Sequence, residues 1–173
     1  MKEILILVDK NDKKIGEMEK IRAHKEARLH RAFSVFLFNS NGELMLQKRA
    51  DSKYHSPGLW GNACDGHPRV NETITQAGER RLIEEMGITC KLKKKFGFVY
   101  KVKLDHGMNE HEFDYVLIGK FNGSPKLNKK EASDWKWIEL NELKKQVKKN
   151  PENFTSWFKI VLKKYLKELN GHL

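Results

Sequence analysis

Cysteine is nearly absent: Cys64 and Cys90 are the only two in 173 residues. Two cysteines make neither a disulfide framework nor a zinc-finger spacing. They suit a reducing compartment, so a cytoplasmic location is expected. Long apolar runs are also missing. Ile4 to Val8 is too short for a signal-peptide core or a membrane span, so no membrane partner is expected. Only four prolines occur, with no linker, repeat or low-complexity stretch, which makes residues 1–173 a single domain. A chain of this length buries roughly 70% of its unfolded surface. Acidic residues are outnumbered, 23 against 34 Lys and Arg, for a net charge of +11. That balance suits anionic partners. The lysines cluster at Lys91 with Lys93 to Lys95, at Lys144 to Lys149 and at Lys159 to Lys167. No arginine–aromatic repeat accompanies them, so solvated faces are the better reading than nucleic-acid binding.

What is present reads as alternating strands and helices. Ile4 to Val8 predicts a strand, Asp9 to Lys14 a turn, and Ile15-Gly16 the start of a return. Lys20 to His30 is polar and contains His24 and His30. Phe33 to Asn39 is apolar on both faces, which marks a buried strand. Asn41-Gly42 is a hairpin turn, and Glu43 to Arg49 returns. After the loop Asp51 to Pro57, Leu59 to Cys64 leads to a glycine-containing segment. Lys91 to Leu104 and Glu110 to Phe121 are further strands. Alternation in the second places Glu110, Glu112 and Asp114 on one face. Such a row of carboxylates is relieved either by a cation or by open solvent. Trp135 to Leu140 is a last strand. Asn141 to Lys149 predicts a short basic helix ended by Asn150-Pro151. Thr155 is placed to cap a final helix with an apolar stripe of Phe158, Val161, Leu162, Tyr165 and Leu169.

The stretch Gly66 to Ile88 organises the rest. Asn71 is a candidate cap and Gly87 a candidate stop for a helix whose core face is Ile74, Ala77, Leu82 and Met86. Arg81, Glu84 and Glu85 lie three and four residues apart, on neighbouring parts of another face. A cation and two anions there suit a diphosphate with its divalent metal, or form an ordinary helical ion pair.

Gly66, Glu72, Arg80, Leu82, Glu84-Glu85 and Gly87-Ile88 together resemble the Nudix box. The resemblance implies an α/β/α sandwich with mixed sheets and a C-terminal amphipathic helix. Most members of that superfamily hydrolyse nucleoside diphosphate derivatives with magnesium. One position departs: the Glu that usually follows the box Arg, a principal metal ligand, is Arg81 here. The fragments EKIRAH, RLHRAFSVFLFN, LQKRADSKYHSPGLW, CDGHP, RRLIEEMGI, NEHEFDYVLIG and FTSWFKI explain the departure. In order from Glu19 to Ile160, they resemble the type 1 isopentenyl diphosphate isomerases, a non-hydrolytic branch that also carries Arg there.

By this resemblance His24, His30 and His67 with Glu110 and Glu112 bind one metal. Such a mixed set suits Mn2+ or Zn2+ better than calcium. Glu85, with the backbone near residue 65, matches a second site, where Mg2+ accompanies the diphosphate. Lys20, Arg49, Lys53 and Arg81 match the diphosphate clamp. Glu112, helped by Tyr100, matches the proton donor, and Trp157 the indole that faces a carbocation. Ser156 stands where the family has proline. The resemblance implies a small prenyl diphosphate substrate; the sequence leaves the oligomeric state open, with a monomer favoured.

The catalytic cysteine of the family is replaced by Asp65. Cys64, one residue earlier, points the other way in an extended segment and is no simple substitute. Three outcomes follow. Asp65 takes the C2 proton in an isomerase; or it joins a metal site in a Nudix hydrolase of prenyl or nucleoside diphosphates; or the chain is a non-catalytic binder of prenyl diphosphate or nucleic acid. The first keeps every other retained part in use.

Overall fold

The strand His30–Phe38 (β3) is buried along nearly its whole length, as its unbroken apolar run requires. A computed structural model describes residues 3–170. One edge of β3 pairs in parallel with Asn109–Lys120 (β8), from His30 opposite Glu112 to Phe38 opposite Lys120. The other edge is shared among antiparallel partners. Ile4–Val8 (β1) meets it at His30, Cys64–Gly66 (β6) at Phe33 to Val35, and Leu44–Arg49 (β4) at Phe38. Lys14–Glu19 (β2) extends the sheet beyond β1, and Lys93–Lys103 (β7) beyond β8. Trp60–Gly61 (β5) and Ala132–Ile138 (β9) both flank β4.

Side-chain alternation on β3 divides the interior into two layers. Phe33, Val35 and Leu37 pack with Ala77, Leu82 and Met86 of the helix Ile74–Met86 (α2). Phe36 and Phe38 face the other way, into Leu143 of Leu140–Lys149 (α3) and Trp157, Phe158 and Val161 of Ser156–Asn170 (α4). This is the α/β/α sandwich expected from the sequence. The short helix Lys20–Lys25 (α1) packs Ala23 onto Leu5 and Leu7 of β1. The sequence showed only a polar stretch there; the Glu19 carboxylate starts the helix by accepting from the Ile21 and Arg22 amides.

Two expected caps differ. Asn71 is not the cap of α2 but sits in a left-handed turn at φ 68. Thr73 takes the role, in a reciprocal capping box with Gln76. Gly87 does end α2, at φ 62. Thr155 precedes α4 as expected, but its hydroxyl makes no capping bond and is buried without a partner. It is turned toward Gly61, where a Cβ would lie 3.2 Å from Thr155 Oγ1. β9 starts three residues before the expected Trp135, and α3 begins at Leu140, capped by Glu139.

Candidate active site

A cavity of about 710 Å³ opens beside the His30 end of β3. Three imidazoles reach it or its floor from three elements: His24 from α1, His30 from the start of β3, and His67 from just after β6. Their ring centroids are 4.9, 5.0 and 5.6 Å apart. With Glu112 they bring four possible ligand atoms within 4.8 Å of one another. The Nδ1 atoms of His24 and His30 each lie 2.8 Å from a backbone carbonyl, of Lys20 and Arg28. A proton held there leaves Nε2 with its lone pair free to ligate. His30 Nε2 is buried without a hydrogen-bond partner, 3.4 Å from Glu112 Oε1. An orphaned imidazole nitrogen beside two more imidazoles and a carboxylate fits a divalent metal ion. Glu110 is not within that group of four.

Glu110, Glu112 and Asp114 share one face of β8, as the alternation predicts, but none faces solvent: their exposures are 4, 7 and 0%. They end in different states. Burial, with Glu112 and Asp65 nearby, pushes Glu110 well above the usual carboxylate range. Burial also acts on Glu112, but the neighbouring His30 and His67 imidazoles overcome it and hold Glu112 well below that range. The Tyr100 hydroxyl, from β7, lies 2.6 Å from Glu112 Oε2 and 3.0 Å from Glu110 Oε2. Ser34 donates to Asp114 at 2.8 Å.

The far end of the cavity is built on α2. Arg81 reaches Glu84 at 2.7 Å and Glu85 at 2.6 Å. These are the helical ion pairs that the spacing allows, here walling a cavity. Glu85 is buried, and Gln47 of β4 donates to its second oxygen at 2.8 Å. Lys20, Arg49 and Lys53 line the same space.

Asp65 is on the cavity face of β6, and the register shows why. It pairs with Ser34, while Cys64 pairs with Val35. Val35 and Cys64 therefore face the α2 layer, where Cys64 is fully buried and burial raises its thiol pKa well above the ordinary value. Asp65 lies 3.7 Å from Arg49 and keeps 35% of its side chain exposed. The Arg49 guanidinium is also 5.3 Å from the Trp157 ring centroid. Trp157, at 2% exposure, lines the cavity from α4 and donates through Nε1 to Asn62 at 3.2 Å. Asn62 in turn donates to the Cys64 carbonyl at 2.6 Å.

Every residue expected from the sequence to be catalytic, metal-binding or substrate-binding lines this cavity except His30, which lies in the imidazole group beside it. Sequence reasoning missed four neighbours. His55 is buried against Trp157, with ring centroids 5.9 Å apart. Asn62 holds the Trp157 indole, Gln47 holds Glu85, and Glu131 pairs with Lys53 and Arg81. His55 stood inside a quoted fragment but had no partner spacing to mark it. The other three act through contacts between elements distant in sequence, which no local pattern displays.

The NUDIX domain profile matches residues 28–158. The chain is 50% identical to "Isopentenyl-diphosphate Delta-isomerase 2" of Aromatoleum aromaticum, over 99% of this chain and 92% of that protein. It is 47% identical to "Isopentenyl-diphosphate Delta-isomerase" of Serratia proteamaculans, over 94% of this chain and 91% of that protein. Among solved structures, DR0079 of Deinococcus radiodurans superposes with a TM-score of 0.77. The two are 21% identical over 94% of this chain and 99% of that one, a likeness of fold.

Proposed function

The chain belongs to the NUDIX family, in its isopentenyl-diphosphate Delta-isomerase branch, and we propose how its residues divide the interconversion of isopentenyl and dimethylallyl diphosphate. The reaction adds a proton to the terminal alkene carbon and removes one from C2, through a tertiary carbocation. Glu112 delivers the first proton. Its source is the buried pair: a protonated Glu110 donates to the Tyr100 oxygen, and the Tyr100 hydroxyl donates to Glu112 Oε2. The distances of 3.0 and 2.6 Å support that relay. The Trp157 ring shelters the cation in a space from which Asn62 and α4 help exclude water. Asp65 accepts the C2 proton and, being partly exposed, returns it to solvent.

His24, His30, His67 and Glu112, with Glu110 beside them, hold Mn2+ or Zn2+. Glu85 and the backbone near residue 65 hold Mg2+ with the diphosphate. Such cations supply positive charge that helps a buried carboxyl change protonation state near neutral pH and partly neutralises the diphosphate. Lys20, Arg49, Lys53 and Arg81 grip the phosphate oxygens. The protein works as a monomer in the cytoplasm on a small prenyl diphosphate. Lysines at Lys93, Lys94, Lys101 and Lys103 along the outer strand β7 support the monomer, because they oppose edge-to-edge pairing. Among the described residues no helix is long and apolar enough to cross a membrane.

The observation that carries the reading is the placement of Asp65 and Glu112. They come from strands on opposite edges of β3, and both line the same cavity. Incubation with isopentenyl diphosphate and divalent metal tests it. The expected result is dimethylallyl diphosphate with a solvent proton incorporated and no phosphate released. Phosphate release points to hydrolysis instead, and binding without turnover to a non-catalytic role.

A further inference from the structure

Each cation of the diphosphate end is already matched by a carboxylate. Lys20 Nζ lies 2.9 Å from Glu3, and Arg49 3.7 Å from Asp65. Lys53 Nζ lies 2.7 Å from Glu131 Oε2, and Arg81 Nη2 lies 3.3 Å from Glu131 Oε1. Glu131 thus touches two of the four, one through each oxygen. The proposed catalysis gives it no other task.

Its position is fixed from both sides. The Ala50 amide donates to the Glu131 carbonyl at 2.9 Å, which ties it to the end of β4. The Glu131 amide donates to the Asn128 carbonyl at 2.9 Å, and the Asn128 amide to the Glu85 carbonyl at 2.9 Å, which ties the turn to α2. The carboxylate is therefore held at the Lys53–Arg81 gap. A bare diphosphate entering that gap meets cations whose charge is offset and an anion that repels it. A diphosphate chelated by a divalent cation brings less negative charge and is repelled less.

We infer that Glu131 is a specificity-determining residue, acting through Lys53 and Arg81, that makes binding contingent on a metal-chelated diphosphate and rejects the bare one. The inference rests on reading Lys53 and Arg81 as the clamp.

Calorimetric titration with inorganic pyrophosphate, with and without Mg2+, tests it. Glu131→Gln keeps the shape and removes the charge. It is expected to bind metal-free pyrophosphate at least about tenfold tighter than the native protein, with a smaller change in Mg2+, so the enhancement by metal shrinks. Glu131→Ala repeats the measurement should the amide variant fold poorly, and thermal melting reports folding in each. Metal-free affinity that is unchanged or weaker overturns the inference. So does a loss confined to the magnesium complex, which would make Glu131 a metal ligand. Lys53→Ala and Arg81→Ala are expected to lose pyrophosphate. If they bind it as the native protein does, the clamp reading fails, whatever Glu131 does.

Discussion

The Tyr100 hydroxyl lies 2.6 Å from Glu112 Oε2 while standing 3.0 Å from Glu110 Oε2, so a single phenol spans two buried carboxyl groups. Removing it breaks the route between them but leaves both. Tyr100→Phe is expected to lower kcat about 10²-fold with little change in KM. Glu112→Gln removes the proposed donor and is expected to cost about 10³-fold or more. Steady-state kinetics on isopentenyl diphosphate separates the two; equal losses would contradict a relay.

The imidazole group gives a readout independent of turnover. A metal ion binding only the folded state at about 100 times its Kd adds about 2.7 kcal/mol. For a chain of this size that raises Tm by roughly 5–10 °C. Mn2+ or Zn2+ is expected to produce such a shift in the metal-free protein, and His30→Ala to abolish it. An equal shift in the variant would place the ion elsewhere.

Burial, with Arg49 nearby, pushes the His55 pKa down to about 3. Burial, with His67 and His30, pushes His24 down to about 4. In the unfolded chain both take protons near 6.5. Between those values the unfolded state binds more protons, so stability is full above about pH 6.5 and falls as pH drops toward 3–4. Denaturant titrations of metal-free protein at about pH 7 and about pH 4.5 should show the loss. His55→Asn should show a shallower one. An unchanged slope would mean that His55 is already protonated when folded.

Trp157 is held by Asn62 and packed in the α4 layer, so its two roles need separate variants. Trp157→Phe keeps an aromatic face and is expected to lower kcat by about tenfold, a fraction of a cation–π contact worth up to ~2 kcal/mol when desolvated. Trp157→Ala is expected to cost about 3–5 kcal/mol of stability as well. Melting curves beside kcat distinguish them. An unaltered kcat in Trp157→Phe leaves the indole a packing residue only.

The sandwich was legible because its signals are local. The two-faced run of β3, the 3.6-residue period of α2 and the alternation of β8 each survive without tertiary help. The lining of the cavity was legible where a motif fixed several positions at once, as with His67, Arg81 and Glu85. What escaped depended on partners far along the chain. Glu19 starts α1 with its own carboxylate, Thr155 turns its hydroxyl toward Gly61, and Glu131 reaches Lys53 across 78 residues. The direction of Asp65 needed the β6–β3 register, since a shift of one residue would have exchanged it with Cys64.

The role of Asp65 is tested most directly by following isomerisation and solvent-deuterium incorporation in Asp65→Asn and Asp65→Cys. Asp65→Asn, which keeps the shape but cannot take a proton, is expected to lose the activity, while Asp65→Cys retains or raises it. Isomerisation at the native rate in Asp65→Asn would show that the C2 proton leaves to another group.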